Sequence, residues 1–131
     1  MPIPSPTLEP VIRVVAMPAD TNPHGDIFGG WLMSLMDVGA GTVAMRACNG
    51  RAVTVAMDGM QFLAPVSVGD EVSVYGKLLS TGRTSIVIAV EAWRRLRDAD
   101  FSEKVTEAKF TFVAIDEQGR PRPINDSPIH P

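Results

Sequence analysis

One long stretch of helical periodicity, residues 29–47, constrains the fold of this chain more than any other feature of its sequence. Its apolar and small residues recur at intervals of three and four: Leu32, Leu35, Met36, Gly39, Val43 and Ala47. The first turns carry a single charged side chain, that of Asp37. Asn49-Gly50 then provides a typical C-terminal stop signal. A helix with so few charges is expected to be buried on most sides, against a sheet and at a subunit interface.

Two glycines, Gly39 and Gly41, lie inside this helical pattern. Each interior glycine costs a helix about 1 kcal/mol relative to alanine. A helix that keeps both of them is expected to be approached closely by another element. Tight packing of the helix against a sheet is the favoured interpretation.

Alternating patterns of period two lie on either side of the helix. One strand is predicted before it, at residues 11–16, and four are predicted after it, at residues 51–58, 71–78, 85–93 and 108–114. Turn signals at residues 68–70, 81–83 and 118–119 separate these strands. Because no helices lie between the later strands, the sequence predicts an α+β fold in which an antiparallel sheet wraps around one long central helix.

Two local expectations complete this prediction. Within residues 51–58 the alternation places Val53, Val55 and Met57 on one face of the strand. The segment of residues 94–103 is rich in charge and is expected to form a loop between the last two strands.

Composition narrows the classes of function. A chain of 131 residues with 45% hydrophobic content is expected to form one domain over residues 1–131, with proline-rich tails at about 1–10 and 121–131. The net charge of −3 argues against nucleic acid as a partner. No apolar run approaches the roughly 20 residues of a membrane helix, and the N-terminus lacks a signal-peptide pattern. With Cys48 as the only cysteine, the protein is expected to be soluble and cytoplasmic.

The start of the helix offers the clearest chemistry. Gly29 and Gly30 open it, where free backbone N–H groups and a partial positive charge stabilise an oxyanion. Asp37 lies seven residues beyond Gly30, about 10 Å further along the helix axis at 1.5 Å per residue. An oxyanion site and a carboxylate on one short element suggest acyl chemistry. Their separation favours a composite site, with the amides from one subunit and Asp37 from the other.

Several sequence segments resemble a known family. The first run contains MPADTN, GDIFGGW and MSLMD, and the later segments are GMQFL, PVSVGD, GRTS and FVAID. Over about residues 11–123 the chain resembles the hotdog-fold acyl-CoA thioesterases, specifically the YciA-like branch. The resemblance implies a hotdog fold and dimers with active sites at the subunit interface, commonly joined into hexamers as trimers of dimers. It also implies hydrolysis of acyl-CoA to free CoA and a carboxylic acid, with no metal and no bound cofactor.

The resemblance also assigns roles to residues of this chain. It implies that Asp37 is the catalytic acid, acting either as a nucleophile or as a general base. It implies that Asn22 orients a water or the thioester carbonyl, while Gly29 and Gly30 donate backbone N–H groups to that carbonyl. The candidate substrate-binding residues are Asp26, Arg83, Thr84, Ser85 and Phe62. Arg120 and Arg122 are weaker candidates for contact with nucleotide phosphates.

Structural alternatives stay open for several of these residues. Asn22 precedes a proline and suits an Asx-type turn. Asp26 suits a helix cap. For Arg83 the alternative is a solvated turn, and for Phe62 it is core packing, as it is for Trp31, Leu35 and Met60. His24, His130 and Cys48 are too few and too scattered for a zinc site, so no metal ligands are assigned.

Two other functions also stay open. A hotdog dehydratase acting on hydroxyacyl thioesters normally uses a histidine with an acid in a different motif context. A non-catalytic acyl-CoA-binding module would keep the fold without turnover. The presence of Asn22, Gly29, Gly30 and Asp37 together argues against a module that only binds.

Overall fold

The computed structural model describes residues 9–124 and consists of one helix and one five-stranded sheet. The elements are β1 (Ile12–Val15), a short 3-10 turn (Pro18–Asp20), α1 (Gly29–Cys48), β2 (Ala52–Phe62), β3 (Glu71–Thr81), β4 (Ser85–Arg95) and β5 (Ser102–Ala114). The strand order is β1-β3-β4-β5-β2, and every neighbouring pair is antiparallel. The predicted α+β fold is therefore confirmed. Most of the two expected tails, together with His130, lies outside the described residues.

The core lies between α1 and one face of the sheet. Five helix residues spaced four apart are fully or almost fully buried: Leu32, Met36, Ala40, Ala44 and Cys48. They pack against alternate residues of β4 and β5, such as Ile88 and Phe110. Burying each large aliphatic side chain contributes about 1.5–3 kcal/mol, so this stripe fixes the helix on the sheet. Within residues 9–124, no helix combines the length and hydropathy that a membrane crossing needs.

The two helix glycines differ in their surroundings. A Cβ on Gly39 would lie 2.8 Å from Cγ2 of Val11 and 3.1 Å from Cγ1 of Val74. A Cβ on Gly41 would meet only the ring of Phe112, at an ordinary contact distance of 3.7 Å. The expected close approach is therefore real at Gly39, where side chains of the sheet fill the space. It is absent at Gly41.

The C-terminal end of α1 is closed by a residue from the last described segment. Asn49 adopts the left-handed conformation with φ 51° and ψ 47°, as expected for the stop signal. Nη2 of Arg122 donates a hydrogen bond of 2.9 Å to the carbonyl oxygen of Cys48, and its Nε donates to Ile115. The guanidinium fills the space beside Gly50. Arg122 is thus a buried helix cap, which corrects the expectation that it contacts phosphates.

β2 does not present the face that its sequence predicts. A β-bulge between Thr54 and Ala56 shifts the pairing of β2 with β5. Val53 pairs with Val113 and is exposed, whereas Met57 pairs with Phe110 and packs against the core. The expectation that Val53 and Met57 share one face is therefore wrong, because the bulge inserts one residue between them.

The charged segment 94–103 is strand at both of its ends and loop in between. Arg94 and Arg95 end β4, and they pair with Glu103 and Ser102 at the start of β5. Nη1 of Arg94 also lies 3.2 Å from Oδ2 of the buried Asp70. The expected loop therefore shrinks to residues 96–101, because cross-strand ion pairs extend the sheet into the charged sequence.

The glycine environments predict opposite effects for two matched substitutions. Gly39→Ala should lower the free energy of unfolding by about 1–3 kcal/mol, because the new methyl group overlaps Val11. Gly41→Ala should be neutral or stabilising by up to about 1 kcal/mol, because alanine favours the helix. Urea unfolding at one fixed protomer concentration measures both changes. Equal destabilisation by the two substitutions would contradict this account of the helix crossing.

Candidate active site

The loop before α1 is folded by the side chain of Asn22. Its Oδ1 accepts hydrogen bonds from the backbone N–H groups of His24, at 2.9 Å, and Asp26, at 3.1 Å. Its backbone N–H donates to the carbonyl of Asp26 at 2.7 Å. The structure thus shows the Asx-type turn. With Oδ1 engaged inside the loop, Nδ2 is the end of this side chain that can donate to a ligand.

The helix start carries no side-chain cap. The N-cap is Phe28, whose side chain makes no capping hydrogen bond, so the expectation that Asp26 caps the helix is wrong. Between residues 9 and 124, no acceptor is hydrogen-bonded to the backbone N–H groups of Gly29 and Gly30. The space above Gly30 is open, since a Cβ there would meet nothing within 4 Å. Two backbone donors are therefore free to hold an oxyanion at the positive end of the helix.

An apolar cavity adjoins these donors. Its volume is about 470 Å³, and its lining includes Gly29, Leu32 and Phe62. The ring of Phe62 lies over the backbone of Gly29, and it is 52% exposed rather than packed in the core. Trp31, Leu35 and Met60 are partly buried against the core, as the packing alternative predicts.

Asp37 lies further along α1 beside β2. Its Oδ1 accepts a hydrogen bond of 2.5 Å from Oγ1 of Thr54, and its side chain is partly buried. Thr54 pairs with the buried Phe112, so it faces the helix. Thr54 is not among the residues that the sequence predicts for the site. Its signal was a hydroxyl within the apolar alternation of a strand, but the contact with Asp37 spans 17 residues and needs the fold to be seen.

The candidate CoA-binding residues lie in the turn between β3 and β4. Arg83 is exposed, and its carbonyl accepts a hydrogen bond of 2.8 Å from Ile124. The carbonyl of Thr84 accepts another, from Ala114. Ser85 begins β4, and the next residue, Ile86, pairs with Phe112 of β5. Phe112 in turn pairs with Thr54 of β2, so Ser85 lies one residue from the row that contains Thr54. This turn therefore lies at the same end of the sheet as Asp37.

The structure separates the candidate residues into two groups. The oxyanion group consists of Asn22, Asp26, Gly29, Gly30 and Phe62, and the carboxylate group consists of Asp37, Thr54, Arg83, Thr84 and Ser85. On the sheet, Phe62 pairs with Thr106, which pairs with Ala92. That row is six residues along β4 from the row of Ile86, about 20 Å at 3.3 Å per residue. The two groups therefore do not converge within one subunit.

Residues 9–124 contain one histidine and one cysteine, and neither belongs to a group of three or more possible metal ligands. His24 is exposed in the loop, and Cys48 is buried at the opposite end of α1. In the part of the chain that the structure describes, no three His, Cys, Asp or Glu side chains are grouped to hold a metal ion.

An apolar surface borders the carboxylate group. Val38 and Met45 on α1 are exposed, as are Val53 and Val55 on β2. Among the described strands β2 pairs only with β5, so its other edge presents unpaired backbone groups. An open strand edge flanked by apolar side chains is typical of a surface that joins another chain.

Comparison with known proteins shows the family of this chain. The sequence profile of the thioesterase superfamily matches residues 24–97, more than half of the chain. The chain belongs to the thioesterase superfamily. This thioesterase-superfamily protein is 49% identical over 123 residues to the acyl-CoA thioester hydrolase YciA of Salmonella typhimurium, and the match covers 92% of each chain.

Two solved structures extend the comparison. A hexameric thioesterase from Yersinia pestis is 51% identical with a TM-score of 0.85, over 90% of this chain and 96% of that one. The hexameric broad-specificity acyl-coenzyme A thioesterase HI0827 is 49% identical with a TM-score of 0.83, over 88% and 80%. These similarities confirm the family resemblance and the hotdog fold.

The contact between Thr54 and Asp37 predicts a role for Thr54 in thioester hydrolysis. Thr54→Val keeps the shape of the side chain but removes the hydroxyl that donates to the carboxylate. A hydrogen bond to a charged group contributes about 1.5–3 kcal/mol, so kcat should fall by about tenfold to a hundredfold. Thr111→Val, on the opposite face of the sheet, is the matched control and should retain kcat. Equal kcat values for the two variants would exclude this role.

Proposed function

We propose that this protein hydrolyses acyl-CoA thioesters to free CoA and a carboxylic acid at a site composed of two subunits. The observation that carries the proposal is the pair of unpartnered backbone donors at Gly29 and Gly30, together with the carboxylate of Asp37 near an open strand edge. The family supports the reaction, and two of the similar proteins named above, YciA and HI0827, are acyl-CoA thioesterases.

Each group has a defined task in the proposed reaction. The N–H groups of Gly29 and Gly30 hold the thioester carbonyl oxygen as it gains negative charge, and losing one such donor typically costs about 3 kcal/mol. Asp37 either attacks the carbonyl carbon, forming an anhydride that water then cleaves, or removes a proton from the attacking water. In the first route the C–S bond breaks as the anhydride forms, and the CoA thiolate takes up a proton from the water that cleaves the anhydride. In the second route the C–S bond breaks after water attacks, and Asp37 passes the proton that it took from the water to the leaving sulfur. Nδ2 of Asn22 orients the carbonyl or the water.

Antiparallel pairing of two β2 edges explains how the groups could meet. In a dimer with two-fold symmetry, each residue of the edge faces a residue equally far on the other side of the axis. Asp58 lies midway between Thr54 and Phe62. An axis near Asp58 would bring Thr54, with its bound Asp37, opposite the partner's Phe62 and beside the partner's Gly29. The same pairing would cover Val53 and Val55.

The remaining assignments follow from this arrangement. The turn that contains Arg83, Thr84 and Ser85 lies at the same end of the sheet as Asp37. The guanidinium of Arg83 carries several hydrogen-bond donors and suits a phosphate or the pantetheine of CoA there. Asp26 stands in the loop that precedes the amides of Gly29 and Gly30 in its own subunit. The carboxylate, the amides and water supply every role in the hydrolysis, so we assign no metal and no bound cofactor. We further propose a hexamer of three dimers, by analogy with the similar hexameric structures, and a cytoplasmic location.

Removal of the carboxylate tests the reaction. Asp37→Ala should lower the rate of CoA release by about 10²–10⁴-fold while the fold and the binding of CoA persist. A free-thiol assay with acetyl-, hexanoyl- and palmitoyl-CoA measures this loss, with Asp98→Ala in the 96–101 loop as the control acid. Turnover unchanged by Asp37→Ala would overturn the mechanism. A folded wild type that binds CoA and releases none from any ester would indicate a binding module instead.

The position of the two-fold axis can be tested by cross-linking. Paired residues on antiparallel strands have Cα atoms about 4.5–5.5 Å apart, within the range that a disulfide spans. Asp58→Cys should therefore give a covalent dimer on mild oxidation, whereas Lys77→Cys on β3 should not. The native Cys48 is buried and should stay unlinked.

Light scattering should show no major monomer at micromolar concentration, and an active monomer would rule out a composite site.

A further inference from the structure

We propose that Phe62 determines which acyl groups this protein accepts, because its ring forms part of the wall of an apolar cavity that receives the acyl chain. This inference rests on the proposed function and names the substrate contact of the same site. Three features carry it: the lining of the cavity, the position of the ring beside Gly29, and the rigid backbone on which the ring is mounted.

The cavity has the chemistry of an acyl-chain site. Its volume of about 470 Å³ falls within the usual range of about 300–1,000 Å³ for small-molecule pockets. Ile27, Leu32 and Val66 are buried beneath it, and none of its lining residues carries a charge. Such a wall stabilises an aliphatic chain and excludes a carboxylate or an amine, since unpaired charge is costly away from water.

The ring stands where the acyl chain must pass. Cζ of Phe62 lies 3.0 Å from the position that a Cβ of Gly29 would occupy, and Cε1 lies 3.3 Å from it. Gly29 is one of the two proposed donors to the thioester carbonyl. When the N–H of Gly29 holds the thioester carbonyl, the acyl chain therefore begins beside the ring of Phe62. It then enters the cavity along that ring.

The backbone beneath the ring is fixed by β5. The N–H of Leu63 donates to the carbonyl of Val105 at 2.6 Å. Oγ1 of Thr106 donates to the carbonyl of Gln61 at 2.5 Å. Both neighbours of Phe62 are thus hydrogen-bonded to β5, so the ring moves by rotation of its own side chain. A substitution at this position therefore changes the wall of the cavity without moving the strand.

The test is the dependence of kcat/KM on acyl chain length, from acetyl- to dodecanoyl-CoA. In the wild type each added CH₂ inside the cavity should raise kcat/KM, by up to about fourfold. Phe62→Ala removes the wall beside the chain, so the ratio of hexanoyl- to acetyl-CoA kcat/KM should fall at least fivefold. Phe62→Leu should restore most of that ratio, and Phe62→Trp should move the optimum to shorter chains. Phe101→Ala removes an equally exposed ring from the 96–101 loop and should leave the profile unchanged.

Each outcome decides the inference. A chain-length profile of Phe62→Ala that matches the wild type would overturn it while leaving the proposed hydrolysis intact. An unchanged profile with an altered oligomeric state would show that the ring serves the subunit contact instead, and would also overturn it. If Phe62→Ala does not fold, the shift expected for Phe62→Trp decides in the same way. A wild type that releases no CoA from any ester would overturn the proposed function itself.

Discussion

The burial of α1 on the sheet is the interaction on which the rest of this structure depends. Its stripe of residues from Leu32 to Cys48, spaced four apart, aligns one face of the helix with the core. At Gly39 the helix approaches the sheet so closely that no Cβ fits. This contact sets the height and angle of the helix. It thereby fixes where the free N–H groups of Gly29 and Gly30 stand and which strand residue Asp37 meets.

The same packing explains why the two halves of the proposed site lie apart within a single subunit. The helix buries one face in the core, and its first turn and its middle contact rows of the sheet that lie far apart. The proposed oxyanion donors and the proposed catalytic carboxylate are therefore held apart. A second subunit joined through the open edge of β2 would add the missing half of each site, while covering the exposed valines beside it. Stability and catalysis would then depend on the same surface.

Sequence patterns predicted the features that depend on local order. The helix bounds were correct to within one residue, because apolar spacing and the Asn49-Gly50 stop are local signals. The predicted faces of β2 and the predicted ends of the 94–103 loop were wrong, because a bulge and cross-strand ion pairs depend on the partner strand. Thr54 was missed for the same reason. Gly29, Gly30 and Asp37 could be singled out because glycine and a lone carboxylate stand out in an apolar helix, whereas their separation required the fold.

The cap on the end of α1 has a consequence for how the sequence can vary. The guanidinium of Arg122 occupies the volume that any side chain at position 50 would need, and it holds the carbonyl of Cys48. Positions 50 and 122 are therefore coupled, although 72 residues separate them in the chain. A larger residue at position 50 should become acceptable only together with a smaller one at position 122 and another way to satisfy the helix end. Among related sequences, the residues at positions 50 and 122 should therefore covary, because their side chains compete for the same volume.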